Sequence, residues 1–390
     1  MLTLPKRKSI FMSLIGTNVQ QPTGFKAFIP ASFPPKELLH VNQAMQVKHS
    51  EAMITLGRLD GISRLLPNKD FFILMFIRKD AASSSQIEGT NASLDESIEA
   101  QTIERPNDLP DDVSDILHYI NALNLGIKRL GDLPLSLRLI LEIHKELMTD
   151  GRRTQHAYPG EFRRTQNWIG GTSPANARFV PPPVHEMNRA LDELEKFIYD
   201  DTPVLPLIKA GLLHSQFETI HPFTDGNGRT GRMMVTLYLT QTKRLSVPVL
   251  YLSSFFKKHQ DRYYEVLNSY HSDTGSPNDW LDFFLDGIIE TAESAIESCH
   301  KITKLRLDDL AKVQSLGKSS AESTVTMLQH LYSLPIVGLA EVMNWTGYSK
   351  QGAYNVIDRL VKLDILSPRG NKDYAQKYEY KRYLDIFKED

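Results

Sequence analysis

Twelve consecutive residues hold an unusual density of groups able to do chemistry: His221-Pro222-Phe223-Thr224-Asp225-Gly226-Asn227-Gly228-Arg229-Thr230-Gly231-Arg232. The run joins two stretches of helical character. Its two glycines flanking Asn227 let the backbone turn tightly and approach a ligand closely. The helix that begins there leaves its first N–H groups without intrahelical partners, beside the positive end of the macrodipole, and this favours an anion. Arg229 and Arg232, three residues apart, share a face of the first turns. Two guanidinium forks beside a backbone nest suit a polyphosphate better than a lone carboxylate. Asp225 adds a hard oxygen at the lip and, with phosphates present, suits Mg2+, which keeps waters and takes few protein ligands. His221 is an imidazole able to accept a proton near pH 7. Pro222 restricts the entry and Phe223 is placed to plug into the core. Together these groups describe phosphoryl or nucleotidyl transfer to an incoming hydroxyl. No Lys-Ser/Thr pair follows the glycines, so the run is not a Walker loop.

The run resembles the Fic family signature, His-Pro-Phe-x-Asp/Glu-Gly-Asn-Gly-Arg-x-x-Arg, at every fixed position. Family members typically transfer AMP from ATP to a protein Ser, Thr or Tyr hydroxyl and release pyrophosphate. The resemblance implies that His221 is the general base and that Asp225 holds Mg2+ across the α- and β-phosphates. It implies that Asn227, the loop amides, Arg229 and Arg232 orient and neutralise the phosphates, within a nucleotide-binding stretch of Gly226, Asn227, Gly228, Arg229, Thr230, Gly231 and Arg232. The partner it implies is a target protein presenting a hydroxyl, the chain itself included.

Residues 158–184 hold Pro159-Gly160, Gly170-Gly171 and Pro181-Pro182-Pro183 around two β-like pieces, Asn167-Trp168-Ile169 and Arg178-Phe179-Val180. This predicts a hairpin. Its flanks, Pro159 to Arg163 and Val180-Pro181-Pro182, resemble those of the family's flap, where a target segment adds as an extra strand. Tyr251, Lys258, Tyr263 and Tyr264 lie in a stretch resembling the part of related proteins near the nucleotide, with Lys258 the candidate ligand. Core aromatics and a solvated lysine fit the same pattern.

A further helix is predicted over 71–89, with Gly89 as the residue that ends it. Glu88 in its last turn opposes the helix dipole, so it either faces water or meets a cation. Ser84, four residues earlier, shares its face. Ser84 to Gly89 resembles the Fic inhibitory motif, Ser/Thr-x-x-x-Glu-Gly/Asn, in the class whose inhibitory helix is N-terminal within the same chain (class II). The resemblance implies that Glu88 pairs with Arg232 and Ser84 anchors the helix, so that Arg232 is withheld from the γ-phosphate.

The elements needed to position these groups are mainly helices. Helical periodicity runs through 35–130, with loops at Pro67-Asn68 and Arg105-Pro106-Asn107, and through 136–150, 186–199, 207–220, 229–243 and 255–315. Ala210, Leu213, Phe217 and Ile220 form one apolar stripe, and the apolar residues of 229–243 surround their helix, as in a buried one. From Ser319 the pattern becomes helices at 324–332, 338–344 and 349–363, then a hairpin from Ile365-Leu366-Ser367 to Lys377–Tyr380, the order of a winged helix. The fold expected is a mainly α Fic core with a β-hairpin flap, and a C-terminal winged helix. The expected regions are 1–115 (N-terminal helices with the inhibitory helix), 116–300 (catalytic core) and 301–390 (linker helix and winged helix).

The chain has 390 residues, 41% hydrophobic and 24% charged, with formal net charge −2. Such a composition is that of a globular protein without a global pull toward nucleic acid or anionic membrane. Cys299 is the only cysteine, which excludes an internal disulfide framework and a cysteine-based zinc site. Lys6-Arg7-Lys8 and the apolar Ile10–Ile15 read as an N-terminal arm, and no run approaches a membrane span. A cytoplasmic location is expected. Lys350, Gln351, Tyr354 and Asn355 on the 349–363 helix are able to read base edges. Residues 316–390, however, carry ten Lys/Arg against nine Asp/Glu, little of the charge that drives DNA affinity. The module therefore reads as a DNA or protein docking surface, and a homodimer fits the class. Two other readings stay open: a transcriptional regulator whose nucleotide site is a sensor, and a Fic enzyme that removes AMP with Glu88 positioning water.

Overall fold

The chain begins, in the computed structural model, with an antiparallel hairpin of β1 (Gly16–Gln20) and β2 (Lys26–Pro30), paired from Gly16 opposite Pro30 to Gln20 opposite Lys26. The structure describes residues 15–34, 41–66, 69–102, 109–149, 158–201, 203–271, 277–370 and 376–388. The expected arm at Lys6–Ile15, save Ile15, lies outside these residues, as do the loops at Pro67-Asn68 and Arg105–Asn107. The hairpin itself was not legible, because its strands follow no sustained alternation of apolar and polar residues.

Local chemistry then sets the helix ends. α1 (Gln43–Ser63) opens at Asn42, whose side-chain oxygen accepts the Met45 N–H at 2.9 Å. α2 (Lys69–Ile87) ends in a Schellman turn: Thr90 N–H donates to Ser85 O and Gly89 N–H to Gln86 O, each at 3.1 Å, with Gly89 at φ +94°. That conformation suits glycine, and it fixes Glu88 as the capping residue. α3 (Leu94–Ala100) starts with a reciprocal capping box between Ser93 and Glu96. α4 (Asp111–Arg129) has acids in its first turn and Lys128 and Arg129 in its last, matching its dipole. α5 (Leu137–Met148) is capped by Ser136. There follow α6 (Val184–Tyr199), α7 (Pro206–Ile220), α8 (Asn227–Gln241), α9 (Leu252–Lys258), α10 (Gln260–Tyr270) and α11 (Pro277–Gln314).

α7 and α8 form the centre. Every residue of α7 from Leu207 to Ile220 is buried, not only the predicted stripe, because α1, α6, α8 and α11 surround it. α8 is buried from Arg229 to Leu239, as its all-round apolar pattern predicted. α4 and α5 pack side by side, α2 packs on α4 and α9, and α1 runs along α11.

The last part contains α12 (Lys318–Leu331), β3 (Ile336–Val337), α13 (Leu339–Thr346), α14 (Lys350–Lys362), β4 (Ser367–Arg369), β5 (Lys377–Glu379) and α15 (Lys381–Asp385). The expected helices and hairpin are joined by a strand the sequence did not reveal: β3 pairs with β5 in a sheet ordered β3-β5-β4. The segment grips α2 and α3. Phe72 lies 4.6 Å from the Tyr332 ring, and Phe76 meets Phe387 edge-on at 5.2 Å. Buried Arg78 donates to the Ser333 carbonyl and to Gln101, while Lys388 pairs with Asp95 at 2.7 Å. The expected boundaries at 115/116 and 300/301 fall within α4 and α11. The molecule is mainly helical with small antiparallel hairpins, and among the described residues no helix is long and apolar enough to cross a membrane.

The α4 crossing depends on Gly126. A Cβ there would stand 3.0 Å from Ile143 Cδ1 on α5 and 3.0 Å from Leu237 Cδ2 on α8. Gly126→Leu should therefore over-pack the centre and cost about 1–3 kcal/mol. Urea unfolding should show a lower midpoint at unchanged slope; an unchanged midpoint would mean that the crossing has slack.

Candidate active site

α7 ends at His221, which takes a left-handed backbone, φ 47° and ψ 60°. A non-glycine residue there is strained by roughly 1 kcal/mol, so something must hold it. Arg163 and Asn167 do so. Arg163 Nε donates to His221 O at 3.0 Å, and its guanidinium also reaches the carbonyls of Thr165 (3.0 Å), Pro182 (2.6 Å) and Ile220 (3.4 Å). Its own N–H donates to Pro222 O at 2.8 Å. Burial lowers its pKa to about 10, leaving it a cation near neutrality. Asn167 Nδ2 donates to His221 O at 3.1 Å and Phe223 O at 3.0 Å.

The loop is closed on itself by Asn227. Its Oδ1 accepts the Phe223 N–H and its Nδ2 donates to Phe223 O, both at 2.8 Å. Asn227 thus shapes the loop with both ends of its amide. The Phe223 ring is buried and stacks on His144 at 3.6 Å and 2°. Gly160 N–H donates to His144 Nδ1 at 3.0 Å, so the ring hydrogen sits on Nε2, which faces Asp225 O at 3.0 Å. Burial, opposed by that contact, lowers the His144 pKa to about 4 and keeps it neutral.

α8 opens at Gly226, φ +78°, where a Cβ would stand 2.8 Å from Met148 Sδ. Asp225 Oδ1 accepts the Gly226 N–H at 2.7 Å. Arg232 points to α2: its Nε donates to Ser84 Oγ at 2.8 Å, and one terminal nitrogen to Ser84 O at 3.0 Å and Glu88 Oε1 at 2.7 Å. The guanidinium is 3% exposed. Burial alone would weaken it as a base, but the Glu88 carboxylate holds its pKa well above the ordinary value. The two arginines, although one turn apart, diverge. Arg229 lies toward α4 and α5, 3.7 Å from Asp115 Oδ1 and 3.6 Å from Met148 Sδ. Thr230 is buried in α8, its N–H donating to Gly226 O at 3.0 Å.

His221 keeps 19% of its side chain exposed. Burial, opposed by Glu88, lowers its pKa to about 4, so the ring is neutral and able to accept a proton. The hairpin over 167–180 is reduced to one antiparallel bridge, Ile169 with Phe179, because Asn167 is drawn to the loop. Its base is buttressed by β2, where Phe28 N–H donates to Val180 O at 2.9 Å.

Of the other candidates, Tyr264 OH donates to Ile87 O at 3.3 Å, beside the end of α2. Tyr263 is buried against His214, with Nε2 and OH 2.9 Å apart. Tyr251 stacks on Phe76. Lys258 is placed elsewhere. It pairs with Glu290 at 2.6 Å and lines a cavity of about 540 Å³ with Lys79, Ser83 and Gln86, on the face of α2 opposite Ser84 and Glu88; no residue of 221–232 lines it. Among the described residues no group of three or more His, Cys, Asp or Glu is arranged to hold a metal. One loop carboxylate, Asp225, fits Mg2+ only if phosphates and waters supply its other ligands. Arg163, Asn167, His144 and Glu218, which faces His221, escaped the reading of single motifs as functional groups. Only the Arg163 flank gave a signal.

Residues 47–128 match the profile of the Fic/DOC family N-terminal region and residues 134–239 that of the Fic/DOC family. Between them these matches take in most of the stretch from 47 to 239. Over 156 residues the chain is 30% identical to the protein adenylyltransferase Fic of Aedes aegypti, and likewise to that of Culex quinquefasciatus; the match covers 39% of this chain and 27% of each relative. A Fic family protein from Desulfovibrio desulfuricans shares the fold, with a TM-score of 0.56 at 19% identity over 87% of this chain and 97% of that one. A Fic domain containing signaling protein from Bacteroides thetaiotaomicron gives 0.51 at 18%, over 64% and 97%.

The buried imidazoles make stability depend on pH. Burial lowers His144 and His221 to about 4, and His214 and His271 to about 3. The unfolded chain binds these protons near the ordinary value of 6.5, so stability is present above it and is lost as pH falls toward 4. Urea unfolding at pH 7 and 5.5 should differ by about 1 kcal/mol per such histidine. Equal stability at the two values would mean that the rings are not held neutral.

Proposed function

We propose that the protein transfers AMP from ATP to a hydroxyl of a protein side chain, with release of pyrophosphate, and that Glu88 restrains this activity. The observation that carries the reading is the Arg232–Glu88 contact at 2.7 Å, made at the start of the helix whose loop holds His221. A carboxylate sits where a phosphate would be expected, on the cation and beside the amides of that helix start. The relatives named as protein adenylyltransferases support the chemistry.

In this reading the loop amides and Arg232 bind and orient the phosphates once Glu88 has left. Arg229 contributes from its place between Asp115 and Met148. Asp225 would hold Mg2+, which when bound neutralises phosphate charge. His221 takes the proton of the target hydroxyl as its oxygen attacks the α-phosphorus. Arg163 and Asn167 keep the His221 backbone in place. A target segment adds to the flap edge, where Ile169 and Phe179 already exchange main-chain bonds. The C-terminal segment, read as a winged helix, leaves Lys350, Gln351, Tyr354 and Asn355 exposed on α14, and we assign it a docking role toward protein, in keeping with its near-neutral charge.

Incubation with α-labelled ATP and Mg2+ tests the proposal. Glu88→Gly should raise self-labelling at least about tenfold, the effect of ~1.4 kcal/mol. His221→Ala in that background should cut it by about 10²–10⁴. Labelling of Glu88→Gly no greater than the parent, in a folded protein, counts against restraint by Glu88. Label that survives His221→Ala counts against the transfer chemistry.

A further inference from the structure

Glu218 is a buried carboxyl which that scheme does not use. It lies on α7 one turn before His221, with Oε2 3.8 Å from His221 Nδ1. Glu218 Oε1 has no hydrogen-bond partner among the described residues, and Nδ1 makes no well-formed bond, although the Glu218 main-chain carbonyl lies near enough to the ring to raise its pKa. An acid buried with an unsatisfied oxygen is costly, and its retention asks for a use. Gly231 supplies a second observation. A Cβ at 231 would stand 2.7 Å from Glu218 Oε1. The Fic signature leaves this position open, so the missing side chain makes room for Glu218 and not for phosphate.

We infer that Glu218 is a positioning residue for His221: its carboxylate holds the ring hydrogen on Nδ1, leaves Nε2 as the base, and stabilises the imidazolium that forms during transfer. This rests on the transfer reading above. In that step the target O–H bond breaks and its proton goes to Nε2. The oxygen bonds to the α-phosphorus while the bond to the bridging oxygen of pyrophosphate breaks. Pyrophosphate leaves with that electron pair, and Nε2 later returns its proton to water. Positive charge is on the ring only in the middle of this sequence, when a carboxylate beside Nδ1 helps most. The present 3.8 Å is longer than a hydrogen bond, and such contacts commonly tighten with substrate bound.

The protonation of Glu218 decides which tautomer it favours. A carboxylate accepts from Nδ1–H; a protonated acid donates to Nδ1 and drives the ring hydrogen to Nε2, where the ring cannot act as base. Burial raises the Glu218 pKa to about 7, with Arg232 of α8 opposing and Glu88 at the end of α2 adding to the rise. Tyr263 and Tyr264 of α10 face Glu218, His214 of α7 faces Arg232, and Arg163, Asp225 and His271 act on the His221 ring. Removing the Glu88 charge thus favours the carboxylate, so activity should fall as pH drops through a pKa below about 7.

Glu218→Gln, Glu218→Asp and His221→Ala, each in the Glu88→Gly protein, test this with labelled ATP across pH 5–9. Glu218→Gln should lower kcat by at least about thirtyfold with KM for ATP within about twofold, and should lose the acidic limb. Glu218→Asp should recover part of kcat and keep the limb. Nitrogen-15 NMR of the His221 ring without ATP should show Nδ1–H in the parent at pH 8 and a shift toward Nε2–H in Glu218→Gln. Parental kcat, limb and tautomer in a folded Glu218→Gln would overturn the assignment. If that variant does not fold, a Glu218→Asp protein with fully parental kcat and ring spectrum in every respect would overturn it too, and partial recovery would support it. Label that persists in His221→Ala would instead sink the transfer reading, leaving the ring spectra to decide the role of Glu218.

Discussion

Arg232 is one guanidinium in a nearly closed space, and the site is organised around what that cation is given as a partner. A buried charge stripped of its partner costs several kcal/mol, so the Glu88 carboxylate is what satisfies Arg232 in this structure. The geometry at Gly228 shows how close this contact is. A Cβ there would lie 2.2 Å from Glu88 Oε1 and 3.0 Å from a terminal nitrogen of Arg232. The position where the backbone was expected to admit a ligand is already approached by a carboxylate, at the start of α8 where amides and dipole both favour negative charge. Glu88 binds the way a phosphate oxygen would.

The loop that leads into the helix bearing Arg232 is held still. His221 sits in a backbone conformation it would not choose, and the clamps on it come from 144, 163, 167 and 227. Each satisfies a main-chain group of the loop that burial would otherwise leave unpaired. Arg163 shows the economy of the arrangement: one buried cation reaches four carbonyls and faces no acid, tying the end of α7 to the base of the flap. These clamps hold His221 and the start of α8 as one rigid unit.

This arrangement explains what could be read from the sequence. The twelve-residue run stood out because its polar groups are contiguous, and the structure gathers them at one loop and helix start. The helix pattern was legible where a helix buries one face only, as in α4, α5 and α6, whose buried residues recur at helical spacing. His144 gave no signal, being one polar residue within an apolar face, recruited by a loop eighty positions away. Glu218 looked like an ordinary acid on a helix, since its burial depends on α8 crossing at Gly231. The pair Arg229 and Arg232 was placed on one face by spacing, yet Asp115 and Glu88 draw them apart: helical geometry fixes the Cα positions, and the flanking helices choose the side-chain directions. Lys258 lies apart from the loop for a related reason. Its stretch lies near α2, but on the side facing Glu290.

α2 is where these constraints meet. At 1.5 Å per residue its nineteen residues make a rod of about 28 Å. One end carries Ser84 and Glu88 against Arg232. Toward the other, Phe72, Phe76 and Arg78 are packed into or bonded to the C-terminal segment. Between them Asp80 accepts bonds from Tyr119 of α4 at 2.7 Å and the Ser253 N–H of α9 at 3.0 Å. An α-helix transmits displacement along its axis because its hydrogen bonds resist shortening, and its last turn is closed by the Gly89 and Thr90 N–H bonds and tied to α10 through Ile87 O. The contact at Glu88 is therefore fixed by the rod and by the turn that bears it together. A latch of 2.7 Å precision at one end of a helix requires the other end to be anchored, and the C-terminal segment supplies that anchor.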